Sequence, residues 1–425
     1  MGGGLIQLVA YGSQDIYLTS QPQVTFFKAI YKRHTHFAIE SIIQTYDGIA
    51  DFGDTLSIVI ARNGDLVGAI NIEAQLPGIT GIGGSDPDSF GWIQGIGNYL
   101  INRAAIFIGG QKIDEQYGIW MDIWTDLSVS GSQTDGFGLM VGKKYSSGIY
   151  EPYDVSVSPD NRLFIPLHFW FCRNPGLALP LISLQYHDIK MEISIEKLNK
   201  LLVSIKNGEY IKPIFNDPYN LPRLGSFKIY TDYYFLDTTE RRKFAQNPHE
   251  YLIEQIQSQS GNMALINGEN NIRINLNHPT KELIFVFGRN NSFSPQNDFS
   301  LGNNEIPNGN SSEFAPVDNL KIIINGHDRF KERPGDYFRL VQPYQHHTRI
   351  PVNNYIYIYS FALRPEEHQP SGTCNFTRID NSHLNVIFRN NQTVRYTSLP
   401  SYNLFAPSYN ILRVMGGMGG LAYAN

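Results

Sequence analysis

Apolar and polar residues alternate with a period of two along most of this chain. Leu56, Ile58 and Ile60 do so, then Ile70, Ile72, Ala74 and Leu76, and later Ile189, Met191, Ile193 and Ile195. Alternation of this kind predicts strands with one face in a core, because successive side chains of a strand point to opposite sides of its sheet. Residues 271–277 alternate cleanly, residues 283–287 are apolar throughout, and the run at 355–359 leads into Phe361. Helical periodicity is confined to three short stretches, near 116–127, 196–203 and 237–245, the last with Thr238 or Thr239 as its expected N-cap. The pattern is all-β with small helices in the connections.

One block occurs twice. Ile106-Phe107-Ile108-Gly109-Gly110, followed by Lys112-Ile113-Asp114-Glu115-Gln116-Tyr117, is echoed by Ile322-Ile323-Ile324-Asn325-Gly326, followed by Arg329-Phe330-Lys331-Glu332-Arg333. Each reads as an apolar strand, a two-residue turn and a more polar returning strand; Gly-Gly and Asn-Gly suit a type I′ turn, whose central residues both need φ > 0. Fainter echoes link residues 161–170 with 348–361, and Tyr186-His187-Asp188-Ile189 with Ser382-His383-Leu384-Asn385. A Gly-rich segment, 77–97, and a polar one, 292–316, precede the two copies at comparable distances and are expected as exposed loops.

Duplication at this length implies two domains. The stretch 212–225 has three prolines and no period, so it is the natural boundary. The expected division is an arm at 1–24, domain one at 25–211, a linker at 212–225, domain two at 226–412 and a tail at 413–425. The fold class expected is all-β, two tandem eight-stranded antiparallel jelly rolls. Immunoglobulin-like sandwiches are the competitor, but at ~100 residues each they would leave much of either half unassigned.

Composition favours burial between subunits. Only 17% of the 425 residues are charged while 13% are aromatic; soluble domains usually carry about 25% charge. The net charge of −5 leaves no electrostatic footprint for a polyanion, so direct nucleic-acid binding is not expected. Two cysteines, Cys172 and Cys374, read as buried thiols of a chain made in a reducing compartment. No apolar run approaches the ~18–20 residues of a membrane helix, and the opening residues lack the marks of a signal peptide or a myristoylation site. Synthesis in the cytosol is the expectation.

Candidate chemistry is sparse. Gly138 to Gly142 followed by Lys143-Lys144 is one residue short of a phosphate loop and has Lys144 where Ser or Thr would bind the metal. His34-Thr35-His36 has no Cys or carboxylate at ligand spacing, and His346-His347 would point to opposite faces of an extended segment. Asp114 and Glu115 read as solvated turn charges rather than a glycosidase pair. No catalytic, cofactor-binding or metal-binding residue is expected, and no cofactor. Four sequons, at Asn290, Asn310, Asn375 and Asn391, fit exposed loops of the second half.

The two ends carry a resemblance. Gly4-Leu5-Ile6-Gln7-Leu8-Val9-Ala10-Tyr11-Gly12-Ser13-Gln14-Asp15, continuing through 22–37, resembles the start of major capsid proteins of the nucleocytoplasmic large DNA viruses, of the algal and giant-virus type. Residues 409–425, closing on Met415-Gly416-Gly417-Met418-Gly419-Gly420, resemble their C-terminus, and 251–257 and 276–285 resemble their passage into the second domain. The resemblance implies a structural capsid protein, not an enzyme. It further implies a homotrimer whose six jelly rolls form a pseudo-hexameric capsomer beside neighbouring capsomers. The arm would lie beneath the shell, toward minor capsid proteins and the internal viral membrane, and the shell would be assembled in the host cytoplasm. Apolar Leu5, Ile6, Leu8 and Val9, set off by Gly12 and Pro22, read independently as an arm, and the small residues 416–420 suit close backbone packing between subunits. Two alternatives share the fold: a minor capsid or vertex paralogue, and a host-glycan-binding attachment protein.

Overall fold

The computed structural model describes residues 3–78, 89–143, 162–206, 209–211, 221–263, 269–289, 317–351, 354–388 and 400–423. Met1–His36 is a unit by itself, with short helices at Gly3–Val9 and Ile16–Thr19. It buries none of its described residues. This unit runs past residue 24: the basic stretch with Lys28, Lys32, Arg33, His34 and His36 breaks the alternation, and the first strand begins only at Phe37.

The remaining unit, Phe37–Asn425, repeats one strand order twice. Short connecting strands aside, the eight that build its first half are β1 (Phe37–Gln44), β2 (Thr55–Val59), β3 (Leu66–Gln75), β4 (Ile101–Ile108), β5 (Gln111–Tyr117), β6 (Arg162–Pro166), β7 (Ile189–Ile195) and β8 (Phe227–Leu236). They form two antiparallel sheets, β1-β8-β3-β6 and β2-β7-β4-β5. The next eight are β9 (His249–Asn262), β10 (Glu269–Arg273), β11 (Glu282–Arg289), β12 (Val317–Ile324), β13 (His327–Asp328, resuming at Arg333–Pro334), β14 (Tyr357–Ser360), β15 (Ser382–Phe388) and β16 (Pro400–Met415). Their sheets are β9-β16-β11-β14 and β10-β15-β12-β13. Each of the first eight named strands therefore has its counterpart eight places later, in the Greek-key order of a jelly roll.

The repeated block is the β4–β5 hairpin in one half and the β12–β13 hairpin in the other. Gly109 and Gly110 have φ of 57° and 83°, and Asn325 and Gly326 have 50° and 80°, as a type I′ turn requires. The 212–225 boundary falls one strand early as far as sheet pairing goes. β8 lies between β1 and β3 in the first half's sheet, with Thr231 opposite both Ile42 and Ile70. A jelly roll needs this eighth strand to close its sheet, so the chain must return to domain one before leaving it.

Each half has its own core. Leu56, Ile58, Ile72, Ile106, Met191 and Ile193 are buried together in the first, and Leu283, Phe285, Phe287, Leu320, Tyr357 and Leu384 in the second. The uninterrupted apolar run 283–287 is explained by a sheet covered on both faces. Its odd residues enter the second core, whereas Ile284 and Val286 point outward into a third cluster.

Two connections differ from expectation, and a third falls outside the described residues. Within 77–97, residues 79–88 lie outside the described residues, but Ser89–Trp92 pairs with Leu202–Lys206, and Trp92, Ile93 and Ile96 are buried. Their apolar side chains make this part a cover over the first core rather than an exposed loop. The segment 292–316 lies outside the described residues. Helix Thr238–Gln246 is capped by Asp237, which keeps extended geometry and accepts a 2.8 Å bond from Glu240 N; Thr238 is already inside the helix.

Candidate assembly interface

The third cluster is where the two jelly rolls meet. Helix Gly118–Ser128 leaves β5 at Gly118, where a Cβ would collide with the carbonyls of Asn98 and Ile101. Nine of its eleven residues are buried, so it is a helix covered all round. Trp120, Ile123, Trp124 and Leu127, at helical spacing, lie on Ile256, Ile284, Val286, Ile356, Ile358 and Phe405, the outer face of β9-β16-β11-β14. The Trp120 ring is 5.6 Å from both Trp124 and Phe405, and the Arg173 guanidinium lies 4.9 Å over Trp124. Met121 faces the other way, into the first core.

Charge is buried at the edges of this contact. Lys143 Nζ is 2.8 Å from Asp122 Oδ1 and 2.8 Å from Asp126 Oδ1. Asn98 donates to Asp122, Asn354 of the second half donates to Asp126, and Arg349 N donates to Leu127 O at 3.0 Å. Burial first, and then Asp126, push the Asp122 carboxyl up against the pull of Lys143. Lys143 is thus committed to carboxylates, which excludes the phosphate-loop reading in geometry as well as in spacing.

A second group joins the halves through Glu254, whose Oε2 is 2.6 Å from Arg173 and whose Oε1 is 2.8 Å from Lys281. Burial alone would raise this carboxyl; Arg173 foremost, with His368 and Lys281, holds it down at about 2. Asp114 is the reverse case. It is not a solvated turn charge: it is buried, accepts from Ile256 N across the interface at 3.0 Å, and is pushed up to about 7 by desolvation, against those hydrogen bonds and Arg173. Beside it opens a cavity of about 310 Å³, lined by Lys112, Asp114 and Tyr117 from one half and Gln255, Ser258 and His278 from the other. Glu115 is likewise engaged, with Lys112 at 2.6 Å and Arg103 at 3.7 Å.

The C-terminal segment packs against its own chain. Gly416 and Gly417, with φ of 59° and 83°, turn Met418–Leu421 back along β16. Gly417 O accepts from Tyr186 N at 2.9 Å, and Gly419 O is 3.0 Å from His187 Nδ1. The small residues allow that approach: a Cβ at Gly419 would run into Leu184.

Of the other candidates, His34 and His36 are exposed in the Met1–His36 unit. His346 is a surface residue bonded to Leu363 O, but the His347 side chain is buried, with Nε2 2.9 Å from Glu282 and Nδ1 3.1 Å from Glu366. Burial would lower its pKa; Glu282, then Glu366, raise it to about 9. Burial pushes the Cys172 thiol up to about 12. Among the described residues no cluster of His, Cys, Asp and Glu fits a metal, and no helix is long and apolar enough to cross a membrane. Asn375 is exposed; Asn290, Asn310 and Asn391 lie outside the described residues. The docking helix was missed as a functional element, although two of the chain's four tryptophans lie in it at helical spacing.

Two jelly rolls of one topology, locked through a helix-on-sheet contact, define the class as double jelly-roll capsid proteins. The solved capsid of PBCV-1, a quasi-atomic model, matches 94% of this chain and all of its own at 34% identity and a TM-score of 0.76. The Faustovirus major capsid protein shares the fold at a TM-score of 0.71, covering 95% of this chain and 94% of its own, with 14% identity. The chain belongs to the major capsid proteins of large eukaryotic DNA viruses: residues 25–237 match the family's N-terminal model and 240–420 the large eukaryotic DNA virus major capsid protein model. Major capsid proteins of Pyramimonas orientalis virus and Phaeocystis pouchetii virus are 42% and 39% identical to it over all of both chains. It is a structural protein of the virion shell and not an enzyme. The break between the two family models falls just after β8.

Proposed function

We propose that three copies of this chain associate into a capsomer with a pseudo-hexagonal outline, which tiles an icosahedral shell assembled in the host cytoplasm. The observation that carries this reading is the identical eight-strand order of the two halves, because six equivalent jelly rolls let a threefold particle meet six neighbours. We assign 37–237 and 238–425 as the two jelly-roll domains. The Met1–His36 unit leaves Leu8 78%, Phe26 91% and Phe27 100% exposed, apolar surface that suits contact with a partner. Minor capsid proteins beneath the shell, next to the internal membrane, are its partners in this reading. Asn375 is offered as an exposed glycan acceptor, with Asn290, Asn310 and Asn391 as further sequons.

Light scattering of the purified protein should give three times the chain mass, and electron micrographs should show threefold particles with six-lobed bases. A stable, folded monomer at micromolar concentration would sink the trimer.

A further inference from the structure

Helix Gly118–Ser128 has a counterpart whose outward ridge is exposed in its own chain. After β13 the chain passes Gly335, where a Cβ would collide with the carbonyl of Val317, the first residue of β12; Gly118 bears the same relation to Ile101, the first residue of β4. Counted from these two glycines, Trp120, Met121, Ile123, Trp124 and Leu127 fall on Tyr337, Phe338, Leu340, Val341 and Tyr344. The match extends to environment. Met121 and Phe338 are both fully buried in their own cores, whereas Leu340, Val341 and Tyr344 are exposed by 36%, 39% and 76%. The first ridge is buried on a sheet and the second lies open, on a π turn running into a helix (Tyr337–Val341, then Gln342–His346).

The sheet face that would receive it is also open. The outer face of β9-β16-β11-β14 is covered by the first helix, but its counterpart in β1-β8-β3-β6 leaves Ile39, Ile43 and Phe164 between 45% and 56% exposed. Tyr230 lies opposite Ile43 on that face and donates to Glu73 Oε2 at 3.0 Å, with Lys228 Nζ 3.6 Å from the other oxygen. The face is therefore apolar at its flanks and polar at its centre. A ridge ending in a tyrosine hydroxyl suits it better than tryptophans would.

We propose that Leu340, Val341 and Tyr344 of one copy dock on the outer face of β1-β8-β3-β6, at Ile39, Ile43 and Phe164, of a second copy. The contact repeats between chains what Trp120, Trp124 and Leu127 make within one, and being head to tail it closes into a ring. This rests on the trimer reading above and names its interface. The wetter chemistry follows from order of events: the contact within the chain forms during folding, while the contact between chains is exposed to water until partners meet.

The test uses two variants of the full chain, Val341→Glu, which breaks the ridge, and Ile43→Glu, which breaks the face. Should either lose its wild-type circular dichroism and melting profile, Tyr344→Glu stands in for the ridge variant and Ile39→Glu for the face variant. Each alone should fall from three times the chain mass to one, and an equimolar mixture at high concentration should form dimers but no trimer, since only one intact ridge can meet one intact face. Wild-type protein that is trimeric with variants that remain trimeric overturns this docking and leaves the trimer standing. Wild-type protein that is not trimeric overturns both.

Discussion

The outer face of β9-β16-β11-β14 is buried and apolar under the helix, with Glu254 and Glu282 paired at its margins, while the outer face of β1-β8-β3-β6 carries Glu73, Lys228 and Tyr230 among its apolar residues and leaves Ile39, Ile43 and Phe164 about half exposed. The two sheets have the same strand order, so topology does not set this difference. What sets it is which helix can reach each face within one chain. Gly118–Ser128 reaches the second sheet directly, so that face could become a core. Among the described residues no comparable helix covers Ile39, Ile43 and Phe164 on the first sheet's outer face, which must stay soluble, and a buried-type surface of Ile, Val and Phe throughout would not allow that.

The largest effect that tests this contrast is truncation of equivalent ridge residues. Trp124→Ala should cost about 3–5 kcal/mol in denaturant unfolding, because the lost indole leaves a cavity and takes away the ring under the Arg173 guanidinium. Val341→Ala should change the unfolding of the isolated chain by no more than about 0.5 kcal/mol, and should instead weaken association. Equal losses of chain stability in the two variants would mean that the ridges are not a covered and an open copy of one device.

Much of the first-level architecture was legible in the sequence. Alternation marked β3 and β7 correctly, and the Gly-Gly and Asn-Gly turns marked the two hairpins, because period and φ > 0 are local properties. The membership of β8 was not legible: a strand's partner is set by chain return over more than 150 residues, and the prolines at 213, 218 and 222 gave a stronger local break. The run 283–287 showed burial on both faces but not by what. The site residues were the least legible. Asp114 and His347 sit in polar stretches that look like turns, and only the packing of the other half on Asp114, and of Glu282 and Glu366 on His347, makes them buried.

Those two groups also distinguish the halves by pH. Both take up protons on folding, since Asp114 rises from 3.8 to about 7 and His347 from 6.5 to about 9. Stability must therefore fall as pH rises through each window: for Asp114 between about 4 and 7, for His347 between about 6.5 and 9. Glu254 works in the opposite direction, its contribution being lost as pH drops below 4.5 toward 2. Asp114→Asn should flatten the unfolding free energy between pH 4.5 and 7 and leave the decline between 7 and 9. The amide can still accept from Ile256 N, and once the Gln116 amide, whose Nε2 now donates to Asp114 Oδ2, turns over, Nδ2 can donate to Gln116 Oε1, which is buried without a partner. The gain above pH 7 should be on the order of a few kcal/mol. An unchanged slope below pH 7 would show that the interface wets Asp114 and that the two halves are not joined by a dry contact there.

The smallest effects concern the two turns, where the copies differ by one residue at matched geometry. Asn325 tolerates φ of 50°, and its Oδ1 accepts from Asn381 N at 3.1 Å, so Asn325→Gly exchanges one exposed hydrogen bond for an easier backbone and should cost less than about 1 kcal/mol. Backbone geometry alone would make Gly109→Asn equally mild, because its φ of 57° is close to that of Asn325. The surroundings differ. A Cβ at Gly109 would run into the His187 ring, and that ring lies against Gly419 of the C-terminal hairpin. Gly109→Asn should therefore cost about 1–3 kcal/mol. His187→Ala in the same chain should recover part of it, a coupling that a double-mutant cycle reads directly. If the two turn substitutions cost the same, glycine is at 109 for its φ alone, and the C-terminal hairpin is not what made the first copy diverge from the second.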